Sequence, residues 1–134
     1  MRVLDLDTVV WSKSVEFRPD REIIADLGQF LQANMSWIIE GCYGRWIEHM
    51  FPHATEIVFM NPGEMTCLSN CQARPWEAHK YPSKEAQDAN LTFLLDWVRG
   101  YYTRSDDMSL LAHRRLFDSY AGNKREITAN ERDA

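Results

Sequence analysis

The sequence has no apolar run near the ~18 residues that a bilayer-spanning helix needs, so no membrane segment is expected. Its N-terminal MRVLDLD lacks the apolar stretch of a secretory signal. Cysteine is scarce and odd in number. Cys42, Cys67 and Cys71 cannot form a dense disulfide framework, which points to a reduced, cytoplasmic protein. Positive charge is also short: 15 Lys and Arg stand against 20 Asp and Glu, a net charge of -5. That excludes a nucleic-acid grip built on bulk basicity. Repeats and low-complexity linkers are missing. What remains is enough for a core, since 45% of the 134 residues are hydrophobic and 12% aromatic. A single domain spanning residues 1–134 is expected.

Turn signals cut the chain into short blocks. Arg2–Asp7 reads as a strand ending in acid. From Asp20 to about Asn34, the residues Ile23, Ile24, Leu27, Phe30 and Leu31 recur at helical spacing, with Pro19 and Asp20 suited to the start. Trp37-Ile38-Ile39, closed by Glu40-Gly41, suits a strand buried on both faces. A helix over about Arg45–Met50 stops near Pro52. Thr55–Met60 carries the strongest strand pattern, ended by Asn61-Pro62-Gly63. Glu64 to about Gln72 reads as helix, and Trp76–Pro82 as loop. Ser83 can cap a long helix striped with Leu91, Leu94, Leu95, Val98 and Tyr102. A further helix is expected from about Asp107 to Tyr120, then a short strand over Lys124–Thr128. Strands alternating with helices predict an α/β fold, a mostly parallel sheet flanked by helices in three layers.

In such sheets the ligand crevice lies at the carboxyl ends of the strands. Asp5 and Asp7 end the first strand there, and Glu40 ends the next. Carboxylates at that edge can bind hydroxyls, amines or metal-bound water. The same residues also fit solvated loop acids and a turn cap. Tyr43 lies close to Glu40 and joins this ligand-binding set. Cys67 and Cys71 share a helix face, and with Cys42 and His79 they outline a loose zinc pattern. Zinc knuckles use tighter spacing, so buried free thiols and no metal are expected. His49 and His53 are four apart, but Pro52 interrupts them. Arg74-Pro75-Trp76 and His79-Lys80-Tyr81 form a loop able to close over phosphates, or an ordinary surface loop anchored by Trp76. Arg114 and Arg115 fit phosphate ligands or a solvated helix face.

The order of blocks — LDLDTVVW, a helix, WIIEGCYGRW, ATEIVFMNP, a helix and an arginine — resembles small P-loop kinases. The resemblance is to the adenylate-kinase-like group that includes the topology-modulation proteins, and it spans about residues 2–128. It implies that Asp5 and Asp7 fall near an acceptor-substrate site and that Glu40 is the strand carboxylate near magnesium. It also implies that Arg74 belongs to an arginine-bearing lid. Those kinases carry a strand and a G-x-x-x-x-G-K-[ST] loop ahead of the block matching Arg2–Asp7. None of the six glycines here lies in such a pattern, and no Gly-Lys-Ser or Gly-Lys-Thr occurs. The backbone amides that cradle phosphates, and the lysine that neutralises them, are missing from this sequence.

The expectation is a truncated P-loop-kinase-like domain acting as a non-catalytic binding or interaction protein. ATP and magnesium would be required only if a phosphate loop is encoded upstream. In that alternative the chain is a shortened form of an ATP-dependent nucleotide or small-molecule kinase, and Glu40 is the candidate catalytic group. A third reading is a different α/β enzyme using Asp5, Asp7 and Glu40 as metal ligands or general bases. In the P-loop kinases that the chain resembles, the strand ahead of the phosphate loop lies between the strands matching Trp37–Glu40 and Thr55–Met60. Without it, those two strands must either pair directly or be covered by another chain. A homodimer is the expected solution, with a small molecule or nucleotide as ligand.

Overall fold

The computed structural model describes residues 1–12 and 16–129, and they form a mixed α/β chain with short parallel strand pairs. It divides into two compact units, Met1–Tyr43 and Gly44–Ala134. No described helix is long and apolar enough to cross a membrane.

The first unit contains β1 (Arg2–Asp5), α1 (Asp7–Val10), α2 (Asp20–Ala33) and β2 (Trp37–Glu40). β1 and β2 pair in parallel, with Arg2 opposite Trp37 and Asp5 opposite Glu40. The Leu6 N–H extends that ladder by donating to the Glu40 carbonyl at 2.9 Å. Leu6 then turns the chain into α1, so Asp7 is the first residue of a helix rather than the end of the strand. The core is made by Leu6, Val9, Val10, Ile23 and Leu27. Full burial of each such side chain contributes about 1.5–3 kcal/mol. Ile23 and Leu27 are one helical turn apart, which fixes the buried face of α2. Ile24, expected in the same stripe, falls outside it and is exposed. Arg18 holds α1 to α2, donating to the Val9 carbonyl at 2.9 Å and to Asp26 at 2.6 Å.

β2 is not buried on both faces as its sequence suggested. Its exposure alternates, and Ile38 is 48% exposed. Successive side chains of a strand point to opposite faces, and here one face is half-buried while the other is open to solvent.

The second unit contains α3 (Gly44–Met50), a single 3-10 turn (Phe51–His53), β3 (Glu56–Met60) and α4 (Glu64–Ala73). It continues with α5 (Lys84–Ala89), α6 (Leu91–Gly100), α7 (Leu110–Ser119) and β4 (Asn123–Ile127). β3 and β4 also pair in parallel, with Glu56 opposite Asn123 and Met60 opposite Ile127. α7 packs on β3 and α3, and α4 packs on α6. The expected long helix is divided at Asn90, and α7 begins three residues later than the sequence suggested. The delay comes from a tight turn. Ser109 is fully buried, its hydroxyl donates to the Asp106 carbonyl at 2.6 Å, and its oxygen caps Ala112 N–H at 3.2 Å. Gly44 permits a close backbone approach: its N–H donates to the Asp107 carbonyl at 3.0 Å. A Cβ at Gly44 would stand 2.4 Å from that oxygen.

The expected parallel pairing is therefore present, but as two separate strand pairs rather than one sheet. Among the described residues β2 pairs only with β1, and β3 only with β4.

Candidate functional site

Strand register brings the sequence-predicted acids of the first unit together. Asp5 and Glu40 are partners across the parallel pair, at its carboxyl end. Partners in register emerge on the same face of the sheet, one strand spacing apart. Asp5 also organises the turn that follows. Its Oδ1 accepts the Asp7 N–H at 2.9 Å, and its carbonyl accepts the Thr8 hydroxyl at 2.7 Å. This is the local side-chain-to-backbone bond that aspartate favours at helix starts.

Asp7 points into a different set of partners. The Tyr43 hydroxyl donates to Asp7 Oδ1 in a short hydrogen bond, and the same hydroxyl accepts the Trp11 indole N–H at 2.8 Å. Tyr43 is buried. Burial first, and the adjacent Asp7 carboxylate second, push its phenol well above the usual tyrosine range, so it remains a neutral donor. Trp11 stacks on Phe17 with ring centres 4.4 Å apart, and both meet Tyr43 edge-on. A depression of about 600 Å3 opens beside this aromatic group, lined in part by Trp11, Phe17, Arg18 and Glu22. Trp11 and Phe17 were not among the expected site residues. Trp11 follows two valines and Phe17 stands between two charged residues, a pattern that carries no signal that they would stack.

Gly41 closes β2 with φ of +151°, a conformation that favours glycine. A Cβ there would lie 2.9 Å from the Leu6 side chain. The two strand ends can approach each other only because that position is bare. The result is a carboxylate pair, Asp5 and Glu40, beside a hydrogen-bonded Asp7–Tyr43–Trp11 relay. Such an edge accepts hydrogen bonds from hydroxyl or amine groups, or from water held on a cation.

The remaining candidates lie in the second unit. Arg74 follows α4, with its Nε 3.2 Å from a Glu77 carboxylate oxygen. Arg114 forms a bidentate pair with Glu126 at 2.9 and 2.6 Å while its side chain stays partly exposed, and Arg115 is exposed. Asn61 donates to the same Glu126 carboxylate at 2.9 Å. Arg114, with help from Asn61, holds Glu126 down to about 2. The three cysteines are free thiols. Cys71 is buried, which raises its thiol above the ordinary range, and Cys67 accepts a hydrogen bond from the Tyr102 hydroxyl at 3.4 Å. Among the described residues no group of three or more His, Cys, Asp or Glu side chains is placed to hold a metal ion.

Compared with known proteins, the chain matches no family model, no curated protein and no solved structure.

Proposed function

We propose that this chain is a P-loop-kinase-like, three-layer α/β domain that binds a small molecule or nucleotide without transferring phosphate. The observation that carries the reading is the register pairing of Asp5 with Glu40 at the carboxyl end of a parallel strand pair. Ligands of open α/β sheets bind at that end. Glu40 and Asp5 receive a hydroxyl, an amine or magnesium-bound water. Asp7 and Tyr43 shape the adjoining wall. The sequence has no G-x-x-x-x-G-K-[ST] loop, whose amides and lysine neutralise the charge of a transferring phosphoryl group in such kinases. Such neutralisation is the main part of catalysis in that chemistry.

The test is a thermal-shift screen with nucleosides and nucleotides, each with and without magnesium. D5N and E40Q keep the shape of the site and remove its charge. Binding that survives the double D5N/E40Q substitution refutes the placement. Turnover of ATP that E40Q abolishes refutes the non-catalytic reading and favours the enzyme alternative.

We further propose a homodimer. Parallel strand pairs ordinarily have both faces covered. Here Val3 and Ile38 on one pair are 58% and 48% exposed, and Val58 and Met60 on the other are 40% and 60% exposed. A second copy would shelter either apolar face. Light scattering at micromolar concentration tests it, and a stable monomer refutes it.

A further inference from the structure

The segment between α4 and α5 gathers three basic side chains on one acid. Arg74 Nε lies 3.2 Å from Glu77 Oε1, Lys80 Nζ 3.4 Å from Oε2, and His79 Nε2 3.7 Å from Oε2. The Glu77 side chain is only 17% exposed, whereas the basic side chains around it reach solvent. Good charge-assisted N–H···O bonds are about 2.7–2.9 Å long. All three contacts are longer than that, and three basic groups share two carboxylate oxygens.

The backbone beneath this cluster is fixed independently of the Glu77 carboxylate. The Glu77 N–H donates to Gln87 Oε1 at 2.8 Å, and Gln87 Nε2 returns a bond to the Pro75 carbonyl at 3.1 Å. The Lys80 and Tyr81 N–H groups donate to the Glu77 carbonyl at 2.9 and 3.0 Å. The Trp76 indole donates to the Tyr81 carbonyl at 3.0 Å, and Asn90 donates to the Tyr81 hydroxyl at 2.8 Å. Rotating the Glu77 side chain outward breaks none of these bonds. The loop would then present Arg74, His79 and Lys80 toward one vacated position.

We propose that residues 74–81 form an oxyanion-binding loop for a phosphoryl group, with Glu77 as an internal stand-in that the ligand displaces. A phosphoryl group offers three or more acceptor oxygens and up to two negative charges, so each donor can take its own oxygen. Glu77 offers two oxygens and one charge. The stand-in holds the basic side chains together when no ligand is bound and sets a threshold that weak anions do not pass. This inference is independent of the acidic site of the first unit.

Inorganic pyrophosphate is the probe, titrated calorimetrically into the full chain. E77Q keeps the side-chain shape and removes the competing charge. It should bind pyrophosphate at least about tenfold more tightly than the wild-type chain, a difference of ~1.4 kcal/mol. Adding R74A or K80A to E77Q should abolish that gain. Equal affinity of E77Q and wild type overturns the proposal, as does a gain that persists in R74A/E77Q. Hydrogen-exchange protection of the Lys80 and Tyr81 amides reports whether the loop remains folded in E77Q. If that protection is lost, the wild-type chain decides. Pyrophosphate must then shift the Arg74 Nε–H and Lys80 side-chain resonances, and unshifted resonances overturn the proposal.

Discussion

Replacing Tyr43 by phenylalanine removes one oxygen and leaves the ring in place. That oxygen makes two hydrogen bonds, one donated to the Asp7 carboxylate and one accepted from the Trp11 indole. A bond to a charged group contributes about 1.5–3 kcal/mol and a neutral one about 0.5–1.5 kcal/mol. Trp11 lies at the surface, where water can replace the hydroxyl, so its share belongs at the low end. Y43F should therefore cost about 2–3 kcal/mol. With a urea slope of about 1–3 kcal/mol per molar for small domains, the unfolding midpoint should fall by roughly 1 M. D7N separates the contributions, because it keeps an acceptor oxygen and loses the charge. The Y43F/D7N double variant should cost less than the two single changes added together, by about 1–2 kcal/mol, since both act on one bond. The Tyr43 phenol is raised above its ordinary value, so folding favours its protonated form. The stability it supplies is complete below the unfolded tyrosine value of about 10 and declines as pH rises through it. Y43F should flatten that alkaline decline. A cost below about 0.5 kcal/mol, or single-variant costs that simply add, would refute this account of the Asp7–Tyr43–Trp11 relay.

Three further outcomes follow from the second unit. G44A should destabilise by about 1–3 kcal/mol, because the new methyl meets the Asp107 carbonyl and no flexible side chain can yield; chemical denaturation measures it. S109A should cost about 0.5–2 kcal/mol, the range for losing an N-cap, and S109T, which retains the capping oxygen, should recover part of it. Glu126 is held down to about 2 from its ordinary 4.5, so its pairing with Arg114 stabilises the fold above pH 4.5. That stability is lost as pH falls from 4.5 toward 2, and E126Q should lack this acid-sensitive window in a pH series of melting curves.

Several elements were legible because they are local. Ile23 and Leu27 at helical spacing placed α2 to within one residue, and the Thr55–Met60 pattern bounded by Asn61-Pro62-Gly63 placed β3, which begins one residue later at Glu56. The end of β1 was misplaced because Leu6 continues the apolar alternation. In the structure the Asp5 side chain captures the Asp7 N–H and starts a helix there, and periodicity does not report a hydrogen bond of that kind. The delayed start of α7 has the same origin, a buried serine at Ser109 that reads in sequence as one more polar residue. The acids Asp5 and Glu40 were recognisable as strand ends. Their pairing depends on β1 and β2 being neighbours in a particular register, a long-range fact that no local pattern encodes. Trp11 and Phe17 were missed for a related reason, since no periodic spacing pairs two rings six residues apart. The destination of Arg74 and Arg114 was equally hidden. Each has a carboxylate partner, Glu77 and Glu126, that only the folded chain identifies.

The most direct test of the proposed site is an amide-shift map of isotopically labelled protein titrated with AMP and with ATP, each in magnesium chloride. The account predicts saturable shifts centred on Leu6, Asp7, Gly41 and Tyr43, around the Asp5–Glu40 pair, and their loss in D5N/E40Q. Shifts confined to the opposite end of the same strands, at Arg2 and Trp37, would contradict it, as would a spectrum that neither nucleotide changes.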